Sequence, residues 1–183
     1  KDAQALAAPI FEGTMSDKVW SADELRGRFS LDDRQIGLYQ QFRAAVDRSL
    51  DELATSEMSR TAKMAKLEVA PREMNLRDAL AFYMEQIAPD IERLQGELAD
   101  TKERQQFERD QLEEAAQNGD SGADERRRYA DLRDSMNARH AAESAALKAR
   151  IDDMAELLKA TQGKVEQIEH LKATGYAPLM RFG

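Results

Sequence analysis

Apolar residues recur at steps of three and four along most of this chain, and the breaks in that rhythm divide it into helices. Ile36, Tyr39, Val46, Leu50 and Leu53 share one helical face, and the pattern continues through Met58 and Met64 to about Leu67. Pro71 then forces a turn. Asn75 is a good N-cap for the next helix, whose first turns carry Leu76, Leu80, Phe82, Tyr83 and Ile87. Pro89 should kink that helix, because its ring clashes with the carbonyl four residues back and removes a backbone bond. Ile91, Leu94 and Leu98 extend the stripe, which Thr101, Gln105 and Glu108 dilute before Leu112. Asn118-Gly119-Asp120-Ser121-Gly122 is the clearest turn in the chain. A second long helix follows, from about Asp124 to Thr174. Its stripe begins at Tyr129, Leu132, Met136 and His140 and resumes at Leu147, Ile151, Met154, Leu158, Val165, Ile168 and Leu171. Gly175 supplies its C-terminal cap.

Residues 1–20 have no clear period, and Pro9, Gly13 and the Thr14–Asp17 stretch interrupt any long element. Ile10, Phe11, Val19 and Trp20 make this an irregular adhesive strap. Ser21 with Glu24 fits a capping box that opens a short helix limited by Gly27, and Ser30 with Asp33 repeats the signal for the long helix after it. The expected organisation is a strap (1–20), a short and a long helix (21–70), an antiparallel helical hairpin (71–174, turn at 118–123) and a terminal segment (175–183). The fold class is all-α: a long antiparallel coiled-coil hairpin packed at its base on a further long helix, elongated. At about 1.5 Å per residue, arms of roughly 45 residues reach on the order of 65 Å.

Composition agrees with a thin core. Charged residues are 34% and aromatics 6% of the chain, and mean hydropathy is -0.70. A formal net charge of -8 opposes nucleic-acid binding unless basic residues cluster. No apolar run is long enough to cross a bilayer. The chain has no cysteine, which excludes disulfides, thiolate metal sites and a Cys nucleophile.

Candidate chemistry is sparse. His140 and His170 lie far apart on one helix without a matched carboxylate and nucleophile, so both are read as seam or surface residues. Adjacent acids such as Asp32-Asp33, Glu113-Glu114 and Asp152-Asp153 point about 100° apart on a helix and do not converge on one substrate atom. No metal-ligand spacing and no Gly-rich phosphate loop occur. No catalytic, cofactor-binding or metal-binding residue is therefore assigned, and no cofactor is expected. Arg126-Arg127-Arg128 could touch phosphate weakly, although Asp124, Glu125, Asp131 and Asp134 favour pairing along the helix. The methionines fall mostly where core is expected and read as adaptable filler.

The ending is distinctive. Tyr176, Pro178, Leu179, Arg181, Phe182 and Gly183, with Met180, follow a polar helix and combine a helix breaker, large apolar side chains and a cation. Such a segment should dock, either on a partner or as a cap on the hairpin base. With Lys1 at the start and no start signal, the chain reads as an excised piece of a larger protein.

Gly175-Tyr176-Ala177-Pro178-Leu179-Met180-Arg181-Phe182-Gly183 resembles the signature of the PLxRFG-motif proteins, very large polypeptides of tailed phages and related elements. Ala22-Asp23-Glu24-Leu25-Arg26-Gly27-Arg28-Phe29, Gln35-Ile36-Gly37-Leu38-Tyr39 and Phe42-Arg43-Ala44-Ala45-Val46-Asp47 resemble the helical region before that signature. The resemblance implies a virion location and delivery into the host cell with the genome. It implies a polyvalent parent that continues past the motif, some relatives carrying a virion RNA polymerase and others acting as ejection proteins. The expected function is a non-catalytic helical scaffold, spacer or ejection-channel component. Its partners would be other virion or ejection proteins, or flanking domains of the same chain. Two alternatives stand beside it: a helical insertion of a giant virion RNA polymerase or other enzyme contacting nucleic acid, and a generic coiled-coil oligomerisation rod.

Overall fold

The structure, a computed structural model, describes residues 1–119 and 122–178. The described residues form five helices: α1 (Asp2–Met15), α2 (Ala22–Phe29), α3 (Asp33–Met64), α4 (Leu76–Asn118) and α5 (Ala123–Ala173). The fold is all-α, as the periodicity predicts. Two compact units divide the chain: Lys1–Tyr83 with Ala160–Gly183, and Met84–Lys159. No helix among the described residues is long and apolar enough to cross a membrane.

In the first unit, α1, α2 and the start of α3 close around Trp20, Leu25, Leu31, Ile36 and Tyr39, with Ala5, Leu6, Ile10 and Phe29 packed against that cluster. The expected strap over residues 1–20 is thus corrected: most of it is helix α1. Ala3, Ala5, Ala7 and Ala8 carry the highest helix propensity, and tertiary burial holds the helix together across Pro9. Pro9 is buried, and its carbonyl accepts the Trp20 indole N–H at 2.9 Å. Tyr39 Oη in turn accepts the Trp20 backbone N–H at 3.2 Å, so the one tryptophan joins α1 to α3.

Ser21 and Glu24 form the capping box that opens α2. The second box is shifted from the expected pair. Asp32, not Ser30, caps α3 and exchanges bonds with Gln35. Ser30 instead sits in the left-handed region (φ 56°) at the end of α2, where a short polar residue is tolerated. Helix α3 ends at Met64 rather than near Leu67, because Lys66 turns left-handed (φ 59°) and Leu67 N–H closes back on Ala62 O. Its buried face reads Ile36, Tyr39, Arg43, Val46, Leu50, Ala54, Met58 and Ala62. Against the unit's other apolar surfaces stand Leu76, Ala79 and Tyr83 of α4 and Val165 and Ile168 of α5. Lys164 pairs with Glu57 at 2.6 Å, Lys172 with Asp51, and Arg77 with Glu169 at 2.9 Å. These pairs tie α5 to α3 and to the start of α4. Asn75 caps α4 through the Asp78 N–H at 2.9 Å, as expected.

A measurable consequence arises at the α1–α2 corner. The Lys18 ammonium, with the Ser21 backbone N–H behind it, holds the Glu24 carboxyl down at about 2 against an ordinary 4.5. A carboxyl depressed in the fold stabilises it above the unfolded value, and that contribution is lost as pH falls through the folded value. Amide protection of residues 21–25 should therefore drop between pH 4.5 and about 2. Glu24→Gln should show weaker protection already at neutral pH and a flatter pH response.

In the second unit α4 and α5 run antiparallel. Gln105 meets His140, Glu108 meets Arg139, and Gly119 lies against the Tyr129 ring. Helix α4 continues through Pro89, which is exposed and does not end it. Ile87 and Leu94 are the unit's fully buried large apolar side chains. Toward the turn the seam thins: Phe107 is 61% and Leu132 50% exposed, so Leu132 is not the seam residue its spacing suggests.

Candidate docking site

Helix α5 ends on Gly175, whose φ of +67° closes a left-handed cap with Tyr176 N–H on Leu171 O at 3.2 Å. Four features from distant parts of the sequence converge there. Arg43, at an apolar position on α3, donates from Nη1 to Gly175 O at 3.1 Å and to Tyr176 O at 2.9 Å. Thr14 Oγ1 shares its single proton between Ile10 O at 2.9 Å and Gly175 O at 3.2 Å. The Lys18 carbonyl oxygen fits between two glycines. A Cβ on Gly13 would lie 2.6 Å from it, and one on Gly175 only 2.3 Å. Ala177 is buried just beyond.

The electrostatics favour this arrangement. The carbonyl end of a helix carries partial negative charge, and Arg43 places a guanidinium against it in a buried site. Only one edge of that guanidinium is used. Nε and Nη2 are enclosed without a hydrogen-bond partner, as is Asp47 Oδ1 one turn along α3. The cation is retained although three of its five N–H donors have no partner among the described residues, so its grip on Gly175 and Tyr176 must offset that cost.

Of the terminal motif, Tyr176 is 38% exposed and Pro178 is exposed, so both present side-chain surface to solvent where the chain leaves the site. Leu179, Met180, Arg181, Phe182 and Gly183 lie outside the described residues. No family model, no curated protein and no solved structure matches this chain. The site therefore rests on its own geometry.

The remaining sequence candidates fall elsewhere. His170 is exposed, and its carbonyl accepts the N–H and the hydroxyl of Thr174. Arg126, Arg127 and Arg128 are exposed and form no ion pair within 4 Å among the described residues. Pairing along the helix was expected there. Exposed pairs contribute about 0–1 kcal/mol against the entropy of holding two long side chains, which leaves these arginines solvated.

His140 lies in the seam, as its spacing suggests, but within a polar layer. Its ring is 4% exposed, and Nε2 approaches Glu108 Oε2 at 2.7 Å. Gln105 donates to His140 O at 3.0 Å, and Arg139 and Arg104 pair with Glu108 and Glu143. Nδ1 is enclosed without a partner among the described residues. Hydrogen bonding from His140 first, with Arg139 adding, lowers the Glu108 carboxyl below its ordinary range, and Gln105 and Arg104 do the same for Glu143. Both depressed carboxyls stabilise the layer above the unfolded carboxylate range, and this is lost as pH falls through their folded values. Acid titration should accordingly loosen residues 100–145, followed by amide exchange. Glu108→Gln should remove much of that pH dependence.

Proposed function

We propose that the chain is a non-catalytic helical module of a large phage protein, packaged in the virion and ejected into the host with the genome. It acts as a scaffold, spacer or ejection-channel component, and the terminal motif is its docking element. The observation that carries this reading is the Arg43 contact. Phe42–Asp47 resembles the helical region that precedes the phage signature and Gly175–Pro178 resembles its opening, and Arg43 joins the two by donating to Gly175 O and Tyr176 O. A motif meant to dock needs a fixed point of departure, and the glycine-lined cap supplies one. The thin seam of the second unit suits passage through a narrow tail, because contacts local in sequence reform quickly.

The test is made on particles. An antibody against this chain should detect it in nuclease-treated, gradient-purified virions of the source phage, and detect much less after ejection is triggered in vitro. Absence from full particles, or full retention in emptied ones, overturns the proposal.

A second reading is favoured by one observation, the exposed Arg126–Arg128 cluster, which forms no ion pair within 4 Å among the described residues. It makes the module an insertion in a nucleic-acid enzyme. If that is right, the full chain binds single-stranded DNA with a log–log salt dependence, and an Arg126→Ala/Arg127→Ala/Arg128→Ala variant reduces the slope by about two to three. An unchanged slope rejects it.

A further inference from the structure

The C-terminal half of α3 and the connection from residue 65 to α4 enclose a cleft of about 640 Å³, inside the first unit. That volume lies within the range that small-molecule sites occupy, about 300–1,000 Å³. Three cations line it: Arg60 and Lys63, one turn apart on α3, and Arg72 from the facing connection. None of the three makes an ion pair within 4 Å among the described residues. Acidic residues outnumber basic ones by 35 to 27, yet three cations and one acid, Glu52, line this cavity, a local excess of positive charge in an acidic chain. Glu57, the acid three residues before Arg60, is already engaged by Lys164 at 2.6 Å.

The cavity also offers neutral donors. Ser56 and Ser59 line it and lie one turn before Arg60 and Lys63 on the same face of α3. Its far wall is held in place. The Ala70 N–H donates to Tyr83 Oη at 3.0 Å, and Met74 N–H closes a turn on Pro71 O at 3.1 Å, which fixes the stretch bearing Arg72. Glu52 lines the same cleft about two turns before Arg60, separated from the cationic end.

From this arrangement we infer that the cleft binds a phosphorylated small molecule. Its di- or triphosphate group meets Arg60, Lys63 and Arg72, Ser56 and Ser59 donate hydrogen bonds to its oxygens, and Glu52 faces a hydroxyl or amine elsewhere on the ligand. Two guanidinium groups match phosphate oxygens in fork geometry, and Lys63 adds a point charge. A polyanion also relieves the mutual repulsion of the three cations. This inference is independent of where the protein acts, since it concerns a different face of α3 from the Arg43 grip.

Inorganic triphosphate, titrated calorimetrically into the full chain at low salt, is the direct test. One saturable site per chain is expected, weakening as salt rises. Arg72→Ala, and separately Arg60→Ala with Lys63→Ala, should weaken it at least about tenfold, the scale of a lost charge-assisted hydrogen bond. Circular dichroism should be unchanged, because all three side chains are exposed. The Arg126→Ala/Arg127→Ala/Arg128→Ala variant should bind triphosphate like the wild type. Absence of saturable binding at millimolar triphosphate overturns the inference, and so does an Arg72→Ala variant of unchanged affinity. It is equally overturned if single-stranded oligonucleotides bind with an affinity that grows with length while triphosphate does not compete.

Discussion

Gly175→Ala should destabilise the first unit by about 3–4 kcal/mol, a loss at the high end for a single methyl group. Two effects add. A non-glycine residue in the left-handed region costs roughly 1–2 kcal/mol. The new Cβ would also stand 2.3 Å from Lys18 O and 3.2 Å from Gly13 O, and both are backbone atoms with no rotamer to yield. Relief requires the exit of α5 to move away from α1, which breaks the Arg43 and Thr14 bonds as well. Gly163→Ala provides the contrast within the same helix. It meets nothing within 4 Å, and replacing a helical glycine there should stabilise by about 0.5–1 kcal/mol. Urea unfolding followed by the fluorescence of Trp20, which packs in this unit, reads both changes.

Arg43→Met should cost about 2 kcal/mol. Two hydrogen bonds from a charged donor are lost, each worth about 1.5–3 kcal/mol, and Tyr176 O is left in a partly buried site. Against this, removing the enclosed and unpartnered Nε and Nη2 returns part of their desolvation cost, which keeps the net below the sum. Methionine fills a similar volume, so little of the loss comes from a cavity. Arg43→Lys should recover less than half, because the shorter, flexible lysine stem does not bring its ammonium to the place where Nη1 meets both carbonyls. Phe42 and Val46 should keep their places in either variant, since α3 is held along its whole buried face.

Much of the fold is legible in the sequence because its signals are local. The Ser21–Glu24 box, the Asn75 cap and the left-handed Gly175 each lie within a few residues of the groups they satisfy. The misses have physical reasons. Pro9 marks a helix breaker, and only the burial of Leu6 and Ile10 under Trp20 overrides it. Ser30 and Asp32 are both good caps, but Ser30 is taken up as the left-handed end of α2, which leaves Asp32 to cap α3.

The site was half visible. Tyr176 and Pro178 mark the ending as unlike the polar helix before it, but Arg43 and Thr14 act on Gly175 across 132 and 161 residues. One signal was available. Arg43 occupies an apolar step between Tyr39 and Val46, where a charge needs a buried partner. The His140 layer left a similar trace, since Gln105 and Glu108 dilute the α4 stripe just where they meet His140 and Arg139. The cavity beside Arg60, Lys63 and Arg72 left none, because a cleft depends on how the connection before α4 folds back.

The central claim is that the Arg43 grip fixes the Gly175–Tyr176 stretch at the end of α5. Native-state amide hydrogen exchange over residues 171–178, in the wild type and in Arg43→Met, tests it most directly. The claim predicts that Tyr176, whose N–H is bonded to Leu171 O, exchanges in the wild type almost as slowly as the buried Val165–Ile168 turn of α5. In Arg43→Met its exchange should accelerate at least about tenfold while that turn is little changed, the scale expected for a lost charged hydrogen bond. Free exchange of Tyr176 in the wild type, or equal protection in the two proteins, would contradict it.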